Sequence, residues 1–195
     1  VTAISLFKTA DAAILLTDQA TMSGGRLAMI GSKVVSAPHL SMAVARSGAV
    51  SIYTRSVIAN WLAARQSQAE AMGTIFDLLG LVREDADRNG GHVEPEPAKL
   101  FIALWEPETN VPECYFVDEK LVGTLHCDSP PSKEPFDAER AALIRRIEDQ
   151  RRVGADNIGA AAELTIVSRD GITSEIIHFW PDRIGEPIPR IPTGE

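Results

Sequence analysis

Thr2, Asp18, Lys33 and Gly48, all in the first quarter of this chain, are residue types that nucleophilic chemistry uses. A threonine hydroxyl is a poor nucleophile until a base takes its proton. A lysine ammonium close by would help the alkoxide form, and an aspartate would keep that lysine charged and oriented. A glycine at a strand-to-helix transition can turn its backbone N–H toward a developing oxyanion, helped by the helix N-terminus. Each also has an ordinary reading. Thr2 can be a β-branched strand residue, Asp18 with Gln19 can shape a turn, Lys33 can open a strand at the surface, and Gly48 can permit close packing.

Other chemistries find less support. His39, His92, His126 and His178 are scattered, with no HExxH pattern and no Cys/His zinc spacing. His126 and Cys127 adjoin, but a strand sends neighbouring side chains to opposite faces. There is no GxGxxG, no phosphate-binding loop and no GxSxG elbow. The expectation is no cofactor and no metal. A net charge of −8 over 195 residues argues against nucleic-acid binding. The cluster Arg145, Arg146, Arg151 and Arg152 alternates with acids and amides and reads as the solvated face of a helix. The two cysteines, Cys114 and Cys127, make no disulfide framework. No apolar run is long enough to cross a membrane and no secretory signal opens the chain, so a cytoplasmic location is expected.

The elements that must position the four residues can be read from periodicity. Residues 2–8 form a short apolar strand, Thr9 to Asp11 a turn, and Ala12 to Thr17 a second strand, nearly continuous in apolar residues as when both faces are covered. Residues 18–32, with Ser23-Gly24-Gly25, read as a loop or short irregular hairpin. Strands at 33–35 and 41–45 flank Pro38. Helical spacing then runs from Ile52 to about Arg65, and again through Met72, Ile75, Phe76, Leu79 and Val82. Asp85 to Pro97 is polar and reads as a surface connection. Strands follow at 100–105, 113–117 and 121–126, then a proline-rich loop at 128–135 and a helix over 137–153. Residues 163–168 and 172–180 flank the turn Arg169-Asp170-Gly171, a strong hairpin signal. Runs of strands separated from runs of helices indicate an α+β protein with helices stacked on antiparallel sheets. The expected organisation is one domain over residues 1–180 and an extended arm over 181–195, which contains four prolines.

The order of these residues resembles the proteasome β-type and HslV-like family of N-terminal-nucleophile hydrolases. That family begins with a threonine opening the first strand, then an aspartate, a lysine at the start of a later strand, and a glycine just before the first long helix. Thr17-Asp18-Gln19-Ala20-Thr21 is similar to the Asp-Gly-Gln-Ala-Thr run of HslV with one glycine missing. Lys33-Val34 matches the family's Lys-Val dipeptide. Asp156 followed by Glu163 to Ile172 is similar to its late aspartate and last hairpin. The likeness spans residues 2 to about 180. It implies a four-layer αββα sandwich of two antiparallel sheets flanked by helices. It implies catalysis by Thr2, whose free α-amine is the base, with Asp18, Lys33, Gly48, Ser129 and Asp156 around it. It further implies a peptide or small amide substrate, a homo-oligomer as a ring or stack, and an ATPase partner like that of HslV.

Three departures from the family stand out. Val1 precedes the threonine, and an acylated amine cannot act as a base. Val1 can be a propeptide removed later, the literal reading of a GUG start codon, or a genuine terminus; the start-codon reading, with the initiating methionine removed, is the expectation. Asp128-Ser129-Pro130-Pro131 stands where family members usually carry Gly-Ser-Gly, which leaves Ser129 to take that serine's part. Asp156-Asn157-Ile158-Gly159 has a glycine where many proteasome subunits place a serine. The expected function is a threonine-type peptidase or amidase. The alternatives are a catalytically silent assembly subunit of the same fold and an amidase acting on small molecules.

Overall fold

The computed structural model describes residues 3–48, 51–89, 97–118, 122–124, 136–154 and 157–189. The chain opens with β1 (Ile4–Lys8) and β2 (Ala12–Asp18), paired antiparallel from Ile4 opposite Thr17 to Lys8 opposite Ala13. Thr9 closes the turn, its Oγ1 accepting from the N–H groups of Asp11 and Ala12. Every residue of β2 is buried, which its run of alanine, isoleucine and leucine requires. Residues 20–30 form the hairpin of β3 (Ala20–Ser23) and β4 (Arg26–Ile30), with an irregularity between Thr21 and Met22. Of the two readings of this stretch, hairpin is therefore the observed one.

β5 (Val34–Ala37) and β6 (Met42–Ser47) flank a 3-10 turn at Pro38–Leu40. Then come α1 (Thr54–Ala63), α2 (Gln68–Gly73) and α3 (Ile75–Asn89). The second helical stretch is thus two helices, broken at Thr74. The polar segment from Asp85 was expected as connection, but its first residues, through Asn89, continue α3. The reason is register: Leu78, Val82, Asp85 and Ala86 share the buried stripe of the helix. β7 (Lys99–Glu106), β8 (Val111–Val117) and β9 (Val122–Thr124) follow. After them come α4 (Phe136–Gly154) and the hairpin β10 (Ala161–Ser168) and β11 (Gly171–Phe179).

The strands assemble as a four-stranded antiparallel sheet β1-β2-β10-β11, a five-stranded antiparallel sheet β5-β6-β7-β8-β9 and the two-stranded β3-β4 hairpin. With its helices, the protein is α+β. Alternation along the strands divides the core. Met42 and Val44 of β6 join Leu100, Ile102 and Leu104 of β7 in burying Ile58, Leu62, Leu78 and Val82 of α1 and α3. Ile14 and Leu16 of β2 with Leu164 of β10 bury Leu143 and Ile147 of α4. Ala13 and Leu15 of β2 meet Ala43, Ala45, Ala103 and Trp105 of the other sheet. The many alanines at that contact let the two sheets approach closely.

Residues 181–189 have no regular structure but are tied to the body. Gly185 N–H donates to the Leu27 carbonyl, Leu27 N–H donates to the Glu186 carbonyl, and Ile188 packs with Leu27, Ala20 and Ala160. Among the described residues, no helix is long and apolar enough to cross a membrane.

Candidate functional site

Asp18 is the last residue of β2 and Lys33 is the residue before β5, so two different sheets bring them together. Lys33 Nζ lies 2.6 Å from Asp18 Oδ1, and the side chains are 5% and 0% exposed. The carboxylate has three further donors. Ala3 N–H donates to Oδ1 at 3.0 Å. Ala20 N–H and Gly159 N–H donate to Oδ2 at 3.1 and 3.4 Å. Ala3 is held from both sides, because its carbonyl accepts from Asp18 N–H at 3.2 Å. The chain one residue after Thr2 is therefore pinned to the Asp18–Lys33 pair.

Burial pushes the Asp18 carboxyl up, against the opposing pull of the Lys33 ammonium and the backbone donors. Burial likewise pushes Lys33 down, opposed by Asp18 and reinforced by the positive charge of Arg46. The three backbone N–H groups facing Asp18 can only donate, which favours its ionised form. The ionised carboxylate is the form this geometry fits.

Gly48 follows β6 with φ +86°, a conformation that side chains rarely adopt. The helix beyond it begins only at Thr54. Its approach is closed by Asp85 of α3, whose Oδ2 accepts from Ser51 Oγ at 2.6 Å and Thr54 Oγ1 at 2.7 Å. Burial would raise Asp85, but the hydroxyls of Ser51 and Thr54, the Asn89 amide and the charge of Arg46 outweigh it and hold the carboxyl below its ordinary value. Arg46 itself is 3% exposed, and burial brings its guanidinium down to about 10. This buried cation thus lies within electrostatic reach of both Lys33 and Asp85.

Of the expected site residues, Asp18 and Lys33 are in direct contact and Gly48 sits at the end of the neighbouring strand. Thr2, Ser129 and Asp156 lie outside the described residues. Gly159, noted in the sequence only as a departure, supplies a donor to Asp18. Ala3, unremarkable in sequence, supplies another.

One expectation needs correcting. Arg145, Arg146 and Arg152 are solvent-facing, but Arg151 is buried. Its guanidinium makes a two-pronged ion pair with Asp182, at 2.7 Å to Oδ2 and 2.8 Å to Oδ1. It also stacks 4.9 Å from the Trp180 ring centre. The overlooked signal is spacing: Leu143, Ile147 and Arg151 follow one another at intervals of four on α4, and all three are buried.

Among the described residues, no group of three or more His, Cys, Asp or Glu could hold a metal ion. Cys114 is buried in β8. No protein-family model matches the chain, and no curated protein matches it.

Proposed function

We propose that this chain is a threonine-type N-terminal-nucleophile hydrolase resembling proteasome β subunits, with its two larger sheets and their helices stacked as a four-layer αββα sandwich. The observation that carries the reading is the buried Asp18–Lys33 pair joined to the backbone of Ala3, the residue after Thr2. A surface lysine and a turn aspartate, the ordinary alternatives, would be solvated and unconnected to the first strand.

In this reading the free α-amine of Thr2 takes the proton from Oγ1 as that oxygen attacks the amide carbon of the substrate. The amine's ordinary pKa of about 7.7–8.0 suits it to accept and return a proton near neutrality. The positive charge of Lys33 favours the forming alkoxide, and Asp18 keeps Lys33 charged and placed. The oxyanion accepts from the Gly48 N–H, a kind of donor whose loss typically costs on the order of 10²–10³ in rate. The proton then passes to the leaving amine as the C–N bond breaks, leaving an ester on Thr2. Water, deprotonated by the same amine, hydrolyses that ester and regenerates the hydroxyl. The substrate is a peptide or a small amide. The working form is a cytoplasmic homo-oligomer enclosing its sites, with an ATPase as the candidate partner.

A silent assembly subunit of the same fold is the second reading. It is favoured by Asp128-Ser129-Pro130-Pro131, which replaces the Gly-Ser-Gly whose serine supports the nucleophile's amine in family members. A threonine-directed covalent probe separates the two. Protein whose terminus is sequenced as Thr2 should be labelled at Thr2, and Thr2→Ala protein should not. Equal failure of both, with Thr2 exposed, would leave the silent reading standing.

A further inference from the structure

We propose that Arg151 and Asp182 are positioning residues for the Asp18–Lys33 site, acting through the short segment Gly159–Ala160. The inference rests on the hydrolase reading for its functional meaning, but its structural basis is independent of it.

Asp182, from the segment after the last strand, does two things at once. It takes both prongs of the Arg151 guanidinium, and its Oδ2 accepts the Ala160 N–H at 2.8 Å. Ala160 is held at φ +66°, a conformation unfavourable for any residue with a Cβ. Such a conformation persists only where its surroundings over-determine it. The ion pair supplies that constraint from one side. From the other, Trp180 N–H donates to the Ala160 carbonyl at 3.0 Å. The preceding residue is pressed equally hard. A Cβ on Gly159 would collide with Asp182 Oδ2 and come within 2.9 Å of Ile188 and 3.2 Å of Arg151. With both residues fixed, the Gly159 N–H faces Asp18 Oδ2. The chain of contacts runs from α4 through Arg151 and Asp182 to Gly159, and from there to Asp18, Lys33 and the backbone of Ala3.

The ion pair is 3% and 1% exposed, so it is a committed structural element and not a surface ornament. Burying two charges is expensive, and a well-packed apolar pair would often serve stability as well. An aspartate here has a further use that an apolar residue lacks: its second lone pair orients the Ala160 N–H.

The test uses the full chain and two variants that disturb the device from opposite ends. Arg151→Lys keeps the charge but removes the planar fork. Gly159→Ala keeps both charged side chains but drives a methyl group against Asp182 Oδ2, which forces the loop and the ion pair apart. Arg140→Gln, which removes an exposed ion pair with Glu175 from the same helix, is the control. Carboxyl-carbon NMR follows the titration of Asp18, which is faced by Lys33, with Arg46 behind it, and by the three backbone donors. Loss of the Gly159 donor should shift the Asp18 titration upward in both variants and leave it unmoved in Arg140→Gln. In parallel, the rate of covalent labelling at Thr2 should fall roughly tenfold or more in both, since small misplacements of a catalytic group cost up to about 10². A folded Arg151→Lys or Gly159→Ala protein with the native Asp18 titration overturns the proposal. Wild-type protein that never labels overturns the hydrolase reading instead, while the titration still decides the positioning role.

Discussion

Lys33 and Asp18 illustrate how a single buried pair constrains what its residues can become. With side chains 5% and 0% exposed, neither can lose its partner without leaving a charge or a polar head in the interior. Lys33→Met should therefore destabilise the protein by about 3–5 kcal/mol, read as a lower denaturation midpoint in urea, and should abolish labelling at Thr2. A stable, labelled Lys33→Met protein would remove the pair from the mechanism. Asp85 offers a cleaner titration. Its folded carboxyl lies below the ordinary 3.8, so the unfolded chain binds the proton more readily. The stability this contributes is full above 3.8 and is lost as pH falls through the lower folded value. Urea midpoints measured from pH 5 down to pH 2 should fall steeply at the acid end. The Asp85→Asn variant should start lower and show a shallower acid limb. An unchanged slope would mean that Asp85 titrates alike in both states.

Elements place these residues by register and by their ends. Helix α2 starts on Ser67, whose Oγ accepts the Glu70 N–H at 3.1 Å, while the Glu70 carboxylate accepts the Gln66 N–H at 2.9 Å. The Ser-x-x-Glu spacing writes this cap in the sequence, and Ser67→Ala should cost about 1 kcal/mol in thermal or urea unfolding. Helix α4 is anchored differently. Ile147 is fully buried between it and the four-stranded sheet, and Ile147→Ala should cost about 2–5 kcal/mol. Because Arg151 lies one turn further along the same stripe, that variant should also loosen the Gly159 loop. Faster amide exchange at Gly159 and Ala160 than in Ser67→Ala protein is the expected signature. Equal exchange in the two would mean the loop is held independently of α4.

At the scale of the whole molecule, the two larger sheets meet through small side chains: Ala13 on one, Ala43, Ala45 and Ala103 on the other. Enlarging that seam should separate the sheets that carry Asp18 and Lys33. Ala43→Leu is expected to destabilise the fold by roughly 1–3 kcal/mol through overpacking. If it labels at all, it should do so slowly, since each sheet brings one member of the pair. A variant that loses stability yet labels at the native rate would show that the site tolerates sheet displacement.

Element types were legible in the sequence because they depend on local periodicity. The alternating and continuous apolar runs marked the strands, and the helical spacing at 52–65 and 137–153 marked α1 and α4 to within a few residues. Asp18 and Lys33 stood out only through the resemblance of their order to that of N-terminal-nucleophile hydrolases. Where reading failed, composition outweighed register. Asp85 looked like the start of a polar connection, and Arg151 like one of several solvated arginines. Both are buried because helical geometry sets them on an apolar stripe beside partners distant in sequence: Ser51 and Thr54 for one, Asp182 for the other. Local pattern determines which backbone forms. Only the packing of sheets and helices decides which polar groups leave water together, because a buried charge is tolerable only where the fold supplies its counterpart.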